Sequence, residues 1–424
     1  MNEPHIVKFS GGRSSGMMLM ELLKGKKLDP ERGDVIVFNN TSAEHPATYE
    51  FTRQMKTLAE QKYNIPFFWI EYQTYEDAGK HGWQRMPSYR LVNDRPYSAK
   101  NKNGYRYKGE VYEELISVSG YLPNMKSRTC THALKIFITN SFLADWFAQK
   151  DGIERLGHFG EAPRITSTEL IKAHQGNRGE TPDTILLEKR KFVRKMPFIR
   201  PQSFWQDFTN ARLCFYNDKV KKSTIGGKGQ LFGDKSISYV SFLGIRKDEE
   251  IRVGKIMDRI TAAEKSNGRS MFGQPPGEKI IAPLVKTKVS KKQVIEYWRK
   301  QEFNLNLPES GDFSNCVYCP LKGKAKLLKI ATQELAKPTN VRGTPASINW
   351  WIRMEKKYSR DLHAENRSIT SKKDIKLIGF FGASKSHVYA NIKKQAQRRN
   401  HNSKDAFQAE YLEDESYIPC NCTD

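Results

Sequence analysis

Two groups of residues in this chain have the types and spacing for chemistry. The first is Ser10-Gly11-Gly12-Arg13-Ser14-Ser15-Gly16. Adjacent glycines let the backbone come close to a ligand, the hydroxyls add donors and Arg13 adds a cation, which together equip a loop to bind phosphate. It is not the Walker loop, because G-x-x-x-x-G-K-[ST] requires a Lys after the last Gly and Met17 stands there. The second group is the cysteines, six in 424 residues: Cys130, Cys214, the pair Cys316-x-x-Cys319 and the pair Cys420-x-Cys422. Thiolates two residues apart can share one ion or cluster, and Pro320 follows the first pair as a proline follows the cysteine runs of iron–sulfur proteins. So few cysteines fit metal or redox chemistry in a reducing compartment better than a disulfide framework.

The elements that must position these residues read as alternating strands and helices. Ile6-Val7-Lys8-Phe9 predicts a strand entering the glycine loop, and Met17 to Leu23 predicts a helix leaving it. Asp34 to Phe38 is an apolar strand ending in Asn39-Asn40-Thr41; Thr48–Tyr63 has helical spacing, and Ile65–Tyr72 predicts a third strand. Such alternation predicts an α/β fold, a parallel doubly wound sheet of Rossmann-like type, with its ligand at the carboxyl ends of the strands. Residues 73–126 form a polar, aromatic-rich insertion with Tyr89-Arg90 and Tyr105-Arg106-Tyr107-Lys108, readable as a base-stacking surface or as a solvated hairpin. A helix is expected from Cys130 to Phe147, a β-rich run over Ile237–Ile245, and a strand at Ile280–Leu284 before a helix that Ser290 caps. The stretch 150–235 is less informative: it holds a turn at Leu156–Gly160, a short element at Ile185–Leu187, basic runs at Lys189–Lys191 and Lys219–Lys222, and Cys214 as a core cysteine.

Charge adds a partner class. The net charge is +24, and Lys322–Lys404 alone holds 20 Lys and Arg against 5 Asp and Glu, around Trp350-Trp351 and an expected basic helix at Ser384–Lys394. That concentration is the footprint of a polyanion such as nucleic acid. Residues 405–424 reverse the sign, with six acids and no base. The expected layout is a nucleotide-binding domain over 1–320, a basic, mainly helical C-terminal region over 321–404 and an acidic tail over 405–424. At 38% hydrophobic and 11% aromatic the chain is globular rather than disordered, and no apolar run reaches membrane-spanning length. Without a signal-like N-terminus it is expected in the cytoplasm, with no membrane partner.

Four of these motifs, in this order, resemble the PAPS-reductase-like family of the adenine nucleotide alpha-hydrolases, the PP-loop ATP pyrophosphatases. They are Ser10-Gly11-Gly12-x-x-Ser15; Asn40-Thr41 with Glu44, Pro46, Thr48 and Tyr49; Arg128 before Cys130-Thr131-x-x-Leu134-Lys135; and Gly244-Ile245-Arg246-x-x-Glu249-x-x-Arg252. The resemblance implies ATP (with Mg) as the nucleotide, held by Ser10, Gly11, Gly12, Ser14, Ser15, Asn40, Thr41, Glu44, Gly244, Arg246 and Glu249. It implies catalytic roles for Ser10, Arg13, Ser15, Arg128, Lys135, Arg246 and Arg252, and a [4Fe–4S] cluster on Cys130, Cys316, Cys319 and Cys422, with Cys420 the alternative fourth ligand and Cys214 the next. Zinc on the same sulfurs and no metal at all remain open. The family usually carries Asp where Asn40 stands. Within it the closest subclass is the ATP-pyrophosphatase component of DNA phosphorothioation systems in bacterial defence, whose partners are DNA, a cysteine desulfurase as sulfur donor and other subunits of the modification complex. In that subclass the cluster would carry or relay the sulfur. The alternatives are a PAPS or APS sulfonucleotide reductase, a tRNA thiolation enzyme, and a nucleotide-sensing DNA-binding module without turnover.

Overall fold

The computed structural model describes residues 3–77, 84–101, 103–119, 122–124, 128–148, 239–265, 278–314, 316–337, 341, 343–361, 377–383 and 388–402. The expectations for 150–235, for Cys214, and for the acidic tail with Cys420 and Cys422 fall outside these residues.

The β-branched run forms β1 (His5–Phe9), which enters the glycine loop and continues as α1 (Arg13–Lys24). β2 (Val35–Asn40), α2 (Pro46–Tyr63) and β3 (Phe67–Asp77) follow, then β4 (Gln84–Pro96), β5 (Gly104–Tyr105) and α3 (Glu110–Ser119). After a short turn, α4 (Thr129–Thr131), a π-helical segment (His132–Phe137) leads into α5 (Ile138–Ala148). The chain returns as β6 (Tyr239–Leu243), α6 (Glu250–Lys265), β7 (Glu278–Ile281), α7 (Pro283–Lys286) and α8 (Lys291–Arg299). Ser290 caps α8 as its type predicts, in a box with Gln293.

Seven strands lie in the order β5-β4-β3-β2-β1-β6-β7. β3, β2, β1, β6 and β7 are mutually parallel, so this is the α/β, Rossmann-like arrangement. β4 departs from an all-parallel sheet by pairing antiparallel with β3. Six residues separate the two strands, too few for a crossover, so the chain has to reverse. The chain builds outward from β1 on one side and then crosses to build β6 and β7 on the other. The switch point falls between β1 and β6.

Alternating side chains feed two apolar clusters. Val7, Phe9, Ile36, Phe38 and Phe242 meet Met18 and Leu19 of α1, Phe51 and Met55 of α2 and Trp298 of α8. Ile6, Val35, Val37, Ile70 and Tyr239 on the opposite face join Ile116 of α3 and Leu143 of α5. The second cluster runs on without a break into the basic region, through α9 (Lys324–Ala336), α10 (Ile348–Tyr358) and α11 (Val388–Asn402), where Trp350, Trp351 and Tyr389 are fully buried. A small sheet of β8 (Arg360–Asp361), β9 (Leu377–Gly379) and β10 (Gly382–Ala383) adjoins these helices.

Glu355 of α10 is buried and accepts the Tyr389 backbone N–H at 3.1 Å, at the start of α11. Burial pushes its carboxyl from the ordinary 4.5 up to about 7, against the pull of the Tyr389 and Val388 amides. An acid whose folded-state pKa is raised stabilises the fold below its unfolded value, and that contribution is lost as pH rises through the folded value. Thermal unfolding between pH 5 and 8 is therefore expected to show the native chain losing up to about 3 kcal/mol relative to Glu355→Gln. Parallel pH profiles for the two chains would remove Glu355 as the cause.

Candidate functional site

The glycine loop lies at the carboxyl end of β1, at the switch point. Gly11 has a φ of +79°, and a Cβ on it would stand 2.5 Å from Thr48 Cγ2, so both the turn and the packing of α2 require glycine there. Gly12 is the N-cap of α1, in extended conformation, and no side chain caps the helix. The first-turn amides and the positive end of the dipole are therefore offered to a ligand rather than to a cap. Ser15 is fully buried behind the loop: its hydroxyl lies 2.9 Å from Ser10 Oγ, accepts the Ser10 backbone N–H at 3.3 Å and donates to the Gly12 carbonyl at 3.0 Å. These bonds fix the loop's curvature, which makes Ser15 a shaping residue and leaves Ser10 at the partly exposed rim.

The fourth motif closes on the same loop from β6. A Cβ on Gly244 would lie 2.5 Å from Ser15 Cα and 2.7 Å from Ser15 N, so β6 and α1 meet backbone to backbone. Arg246 then reaches across, with Nη1 donating to Ser14 Oγ at 2.8 Å, Nη2 facing Glu249 at 3.3 Å and Nε facing Asp248 at 3.2 Å. Glu249 also holds Arg252 in an ion pair, and both arginines are buried. One carboxylate thus holds two guanidinium groups, Arg246 against the loop and Arg252 behind it on Glu249, an arrangement suited to clamping phosphate oxygens.

Arg13 points elsewhere. Its guanidinium donates to Asn304 Oδ1 at 3.0 Å, the Leu307 carbonyl at 2.5 Å and the Pro308 carbonyl at 3.4 Å, and burial lowers its pKa. It ties α1 to the segment after α8, and in this arrangement it orients the loop from behind.

At the carboxyl end of β2, Asn40 is fully buried. Its Nδ2 donates to Glu71 Oε1 and to the Arg106 carbonyl, both at 2.7 Å, and its Oδ1 accepts the Ser42 N–H at 2.8 Å. Glu71 further accepts the Arg106 N–H at 2.6 Å and Arg90 Nη2 at 3.0 Å. Burial raises the Glu71 pKa against the pull of the Arg90 and Arg106 charges. An Asp in place of Asn40 would set two buried carboxylates against each other, which gives the amide a reason of its own. Tyr89, Arg90, Tyr105 and Arg106 are interior, so neither the base-stacking surface nor the solvated hairpin describes them. No local signal in 73–126 could have shown this, because the burial comes from pairing of β4 with β3, of β5 with β4 and from the Arg106 N–H on Glu71.

Next to Asn40, Thr41 Oγ1 donates to Glu44 Oε1 at 2.7 Å and lies 3.6 Å from Cys316 Sγ. The Tyr49 hydroxyl donates to Glu44 Oε2 at 3.2 Å. His45 caps α2 by accepting the Ala47 N–H at 3.1 Å, and burial pushes its imidazole down to about 4, so it stays neutral and cannot supply a charge here. The β2 loop is thus where the expected nucleotide side meets the thiols.

The third motif packs behind this loop. Asn39 Nδ2 donates to Thr139 Oγ1 at 2.9 Å and to the Lys135 carbonyl at 3.4 Å, within the widened π-helical segment. A π segment replaces the regular helix expected here, and such bulges concentrate at functional sites. Arg128 stands at the head of α4 and Lys135 near the end of the segment, both half-buried. Cys130, Cys316 and Cys319 are not in disulfides, and all three act electrostatically on one phenol. That phenol is Tyr112, fully buried against Trp350 and Trp351 and hydrogen-bonded to Cys130. Burial first, then the three thiol groups, push its hydroxyl well above its ordinary pKa. Among the described residues no group of three or more His, Cys, Asp or Glu is placed to hold a metal ion. By type alone the three thiols suit a thiolate-bound centre, and the expected fourth ligand, Cys422 or Cys420, lies outside the described residues. Sequence reasoning missed Tyr112 and Glu71 and gave Arg90 and Arg106 a surface role, because their partners are distant in the chain.

The exposed cations of the C-terminal helices, Lys324, Lys329, Arg353, Lys356, Lys394, Arg398 and Arg399, lie on the outside of the shared core. Among the described residues no helix is long and apolar enough to cross a membrane. No family model, curated protein or solved structure matches this chain.

Proposed function

We propose that this chain is a PAPS-reductase-like ATP pyrophosphatase of DNA phosphorothioate modification. ATP activates a DNA backbone phosphate by adenylation with loss of pyrophosphate; the outer sulfur of a cysteine desulfurase persulfide then attacks that phosphorus, AMP departs with the former non-bridging oxygen, and a further thiol takes the desulfurase sulfur as a disulfide to leave the phosphorothioate. The observation that carries this reading is the uncapped N-terminus of α1 at the β1/β6 switch point, with Arg246 hydrogen-bonded to Ser14 on one side and Thr41 against Cys316 on the other. Loop amides and the Ser10 hydroxyl hold the leaving pyrophosphate, while Arg246 and Arg252, oriented by Glu249, neutralise charge that develops at the α-phosphate. Arg128 and Lys135 supply cations from the cysteine side. Cys130, Cys316 and Cys319 would hold a [4Fe–4S] cluster, which supplies sulfur or electron transfer when bound. The exposed cations of α9, α10 and α11 give the duplex a surface of matching sign. Asn40 offers no ground for a turnover-free binding module, because its neutral amide is accounted for by Glu71.

The test is product analysis of ATP incubated with anaerobically purified chain, with and without double-stranded DNA. AMP and pyrophosphate are expected, stimulated by DNA and reduced about 10²-fold in Ser10→Ala and Arg246→Ala. Inert ATP alongside reduction of PAPS to sulfite would replace this reading with the sulfonucleotide reductase; retained DNA affinity with no turnover in any form would replace it with the binding module.

A further inference from the structure

The cysteine pair sits in a loop that one side chain closes from behind. Lys322 follows Cys319 by three residues, in the single turn Pro320–Lys322 that leads into α9. Its ammonium donates to the carbonyls of Asp312 at 2.6 Å, Ser314 at 2.9 Å and Val317 at 3.0 Å. An ammonium has three donors, and three main-chain oxygens take them. The loop is drawn further onto α9 by Lys326 and Lys329, which flank the buried Asp312 carboxylate at 3.5 and 3.0 Å and hold its pKa low against burial. Within the turn, Cys319 N–H donates to the Cys316 carbonyl at 3.1 Å and Lys322 N–H to the Cys319 carbonyl at 3.0 Å. A short stretch of chain thus wraps a single positive charge with its carbonyls, and both thiols lie on that wrap.

We propose that Lys322 is a positioning residue for Cys316 and Cys319, acting as a tethered counterpart of a structural monovalent cation. Carbonyl oxygens converging on one point repel one another unless a cation stands there, as in sites where carbonyls replace an ion's hydration shell. The ammonium removes that repulsion and sets the curvature on which the spacing of the two sulfurs depends. Removing the side chain while leaving the carbonyls in place creates a vacancy of the size and charge preference of ammonium or potassium. This inference does not depend on the nucleotide chemistry or on any centre bound by the thiols, and its test reads the thiols of the metal-free full-length chain.

Alkylation of Cys316 and Cys319 by iodoacetamide, followed peptide by peptide by mass spectrometry, is expected to be slow in the native chain and indifferent to the choice of monovalent salt. Lys322→Ala is expected to alkylate about tenfold faster, and ammonium or potassium chloride should slow it back toward the native rate where choline chloride of equal ionic strength does not. Native-like rates in Lys322→Ala, or fast rates that no small cation slows, would overturn the proposal. A second measurement needs no variant: acetic anhydride on the native chain should acetylate Lys322 about tenfold more slowly than exposed Lys324. Equal acetylation of the two lysines would overturn it even if Lys322→Ala does not fold.

Discussion

Gly244→Ala is expected to cut nucleotide turnover about 10²-fold in a chain that still folds. The added Cβ falls 2.5 Å from Ser15 Cα and 2.7 Å from Ser15 N, and neither atom can swing aside as a side-chain tip would. Either β6 or the first turn of α1 has to move. Both carry the site, since Arg246 lies two residues beyond Gly244 and the loop amides lie one turn before Gly16. A displacement on the order of 1 Å at reacting groups costs about 10²-fold in rate, whereas the overpacking itself costs about 1–3 kcal/mol of stability. Pyrophosphate release should therefore fall about 10²-fold, with weakened ATP binding by calorimetry and a moderate drop in Tm. Gly254→Ala is the matched control, because a Cβ at Gly254 of α6 meets nothing within 4 Å; it should be neutral or slightly stabilising in its helix. Turnover within about twofold of native in Gly244→Ala would mean that the β6–α1 contact does not set the site.

Asn40→Asp is the second large effect, and it acts on stability. Asn40 and Glu71 are direct partners in the parallel register of β2 and β3, and both are buried. Replacing Nδ2 by oxygen removes the donors to Glu71 Oε1 and to the Arg106 carbonyl and puts a second carboxyl at 2.7 Å from the first. Leaving an uncompensated charge in such a place costs about 3–5 kcal/mol. Arg90 at 3.0 Å already serves Glu71 and reduces the repulsion only in part. Two acids whose folded pKa values are raised destabilise the fold most above those values, so the loss should shrink as pH falls and one proton is shared. Chemical denaturation at pH 8 and pH 5 checks the sign: the deficit is expected to be larger at pH 8. The double change Asn40→Asp with Glu71→Gln should recover most of it. A stable Asn40→Asp chain with a flat pH profile would sink this account of why the amide is there.

What could be read in the sequence was local. The strand, loop and helix of residues 5–24 follow from a β-branched run, a glycine pair and good helix formers, and the cap at Ser290 follows from one residue and its neighbour three positions on. The parallel sheet was legible because buried strands announce themselves by continuous apolar runs. The direction of β4 was not, since it depends on how few residues join it to β3. Nor was the interior character of Tyr89, Arg90, Tyr105 and Arg106, whose alternation of aromatic and cation reads as surface until Glu71 is found between them. The candidate site was legible as four separate motifs, but not in its division of labour: Arg13 ties α1 down at Asn304 and Leu307, Ser15 shapes the loop, and Tyr112 and Lys322 stand among the cysteines. The Arg13 and Tyr112 pairings join positions that no short window along the chain contains together, and the Ser15 and Lys322 contacts, though local, depend on side-chain direction that residue type does not give.

The hydrogen bond between Ser14 and Arg246 spans 232 positions. During synthesis, α1 emerges from the ribosome long before the strand that completes its first turn. At about 5–20 residues per second that interval is on the order of 10–50 s. Throughout it the apolar edge of β1 that β6 will cover is open to other strands, including those of neighbouring nascent chains. A half-made chain holding β1, β2 and β3 therefore has a glycine loop without its clamp, and a sticky edge in place of a switch point. Late completion of the loop by its clamp follows from topology alone.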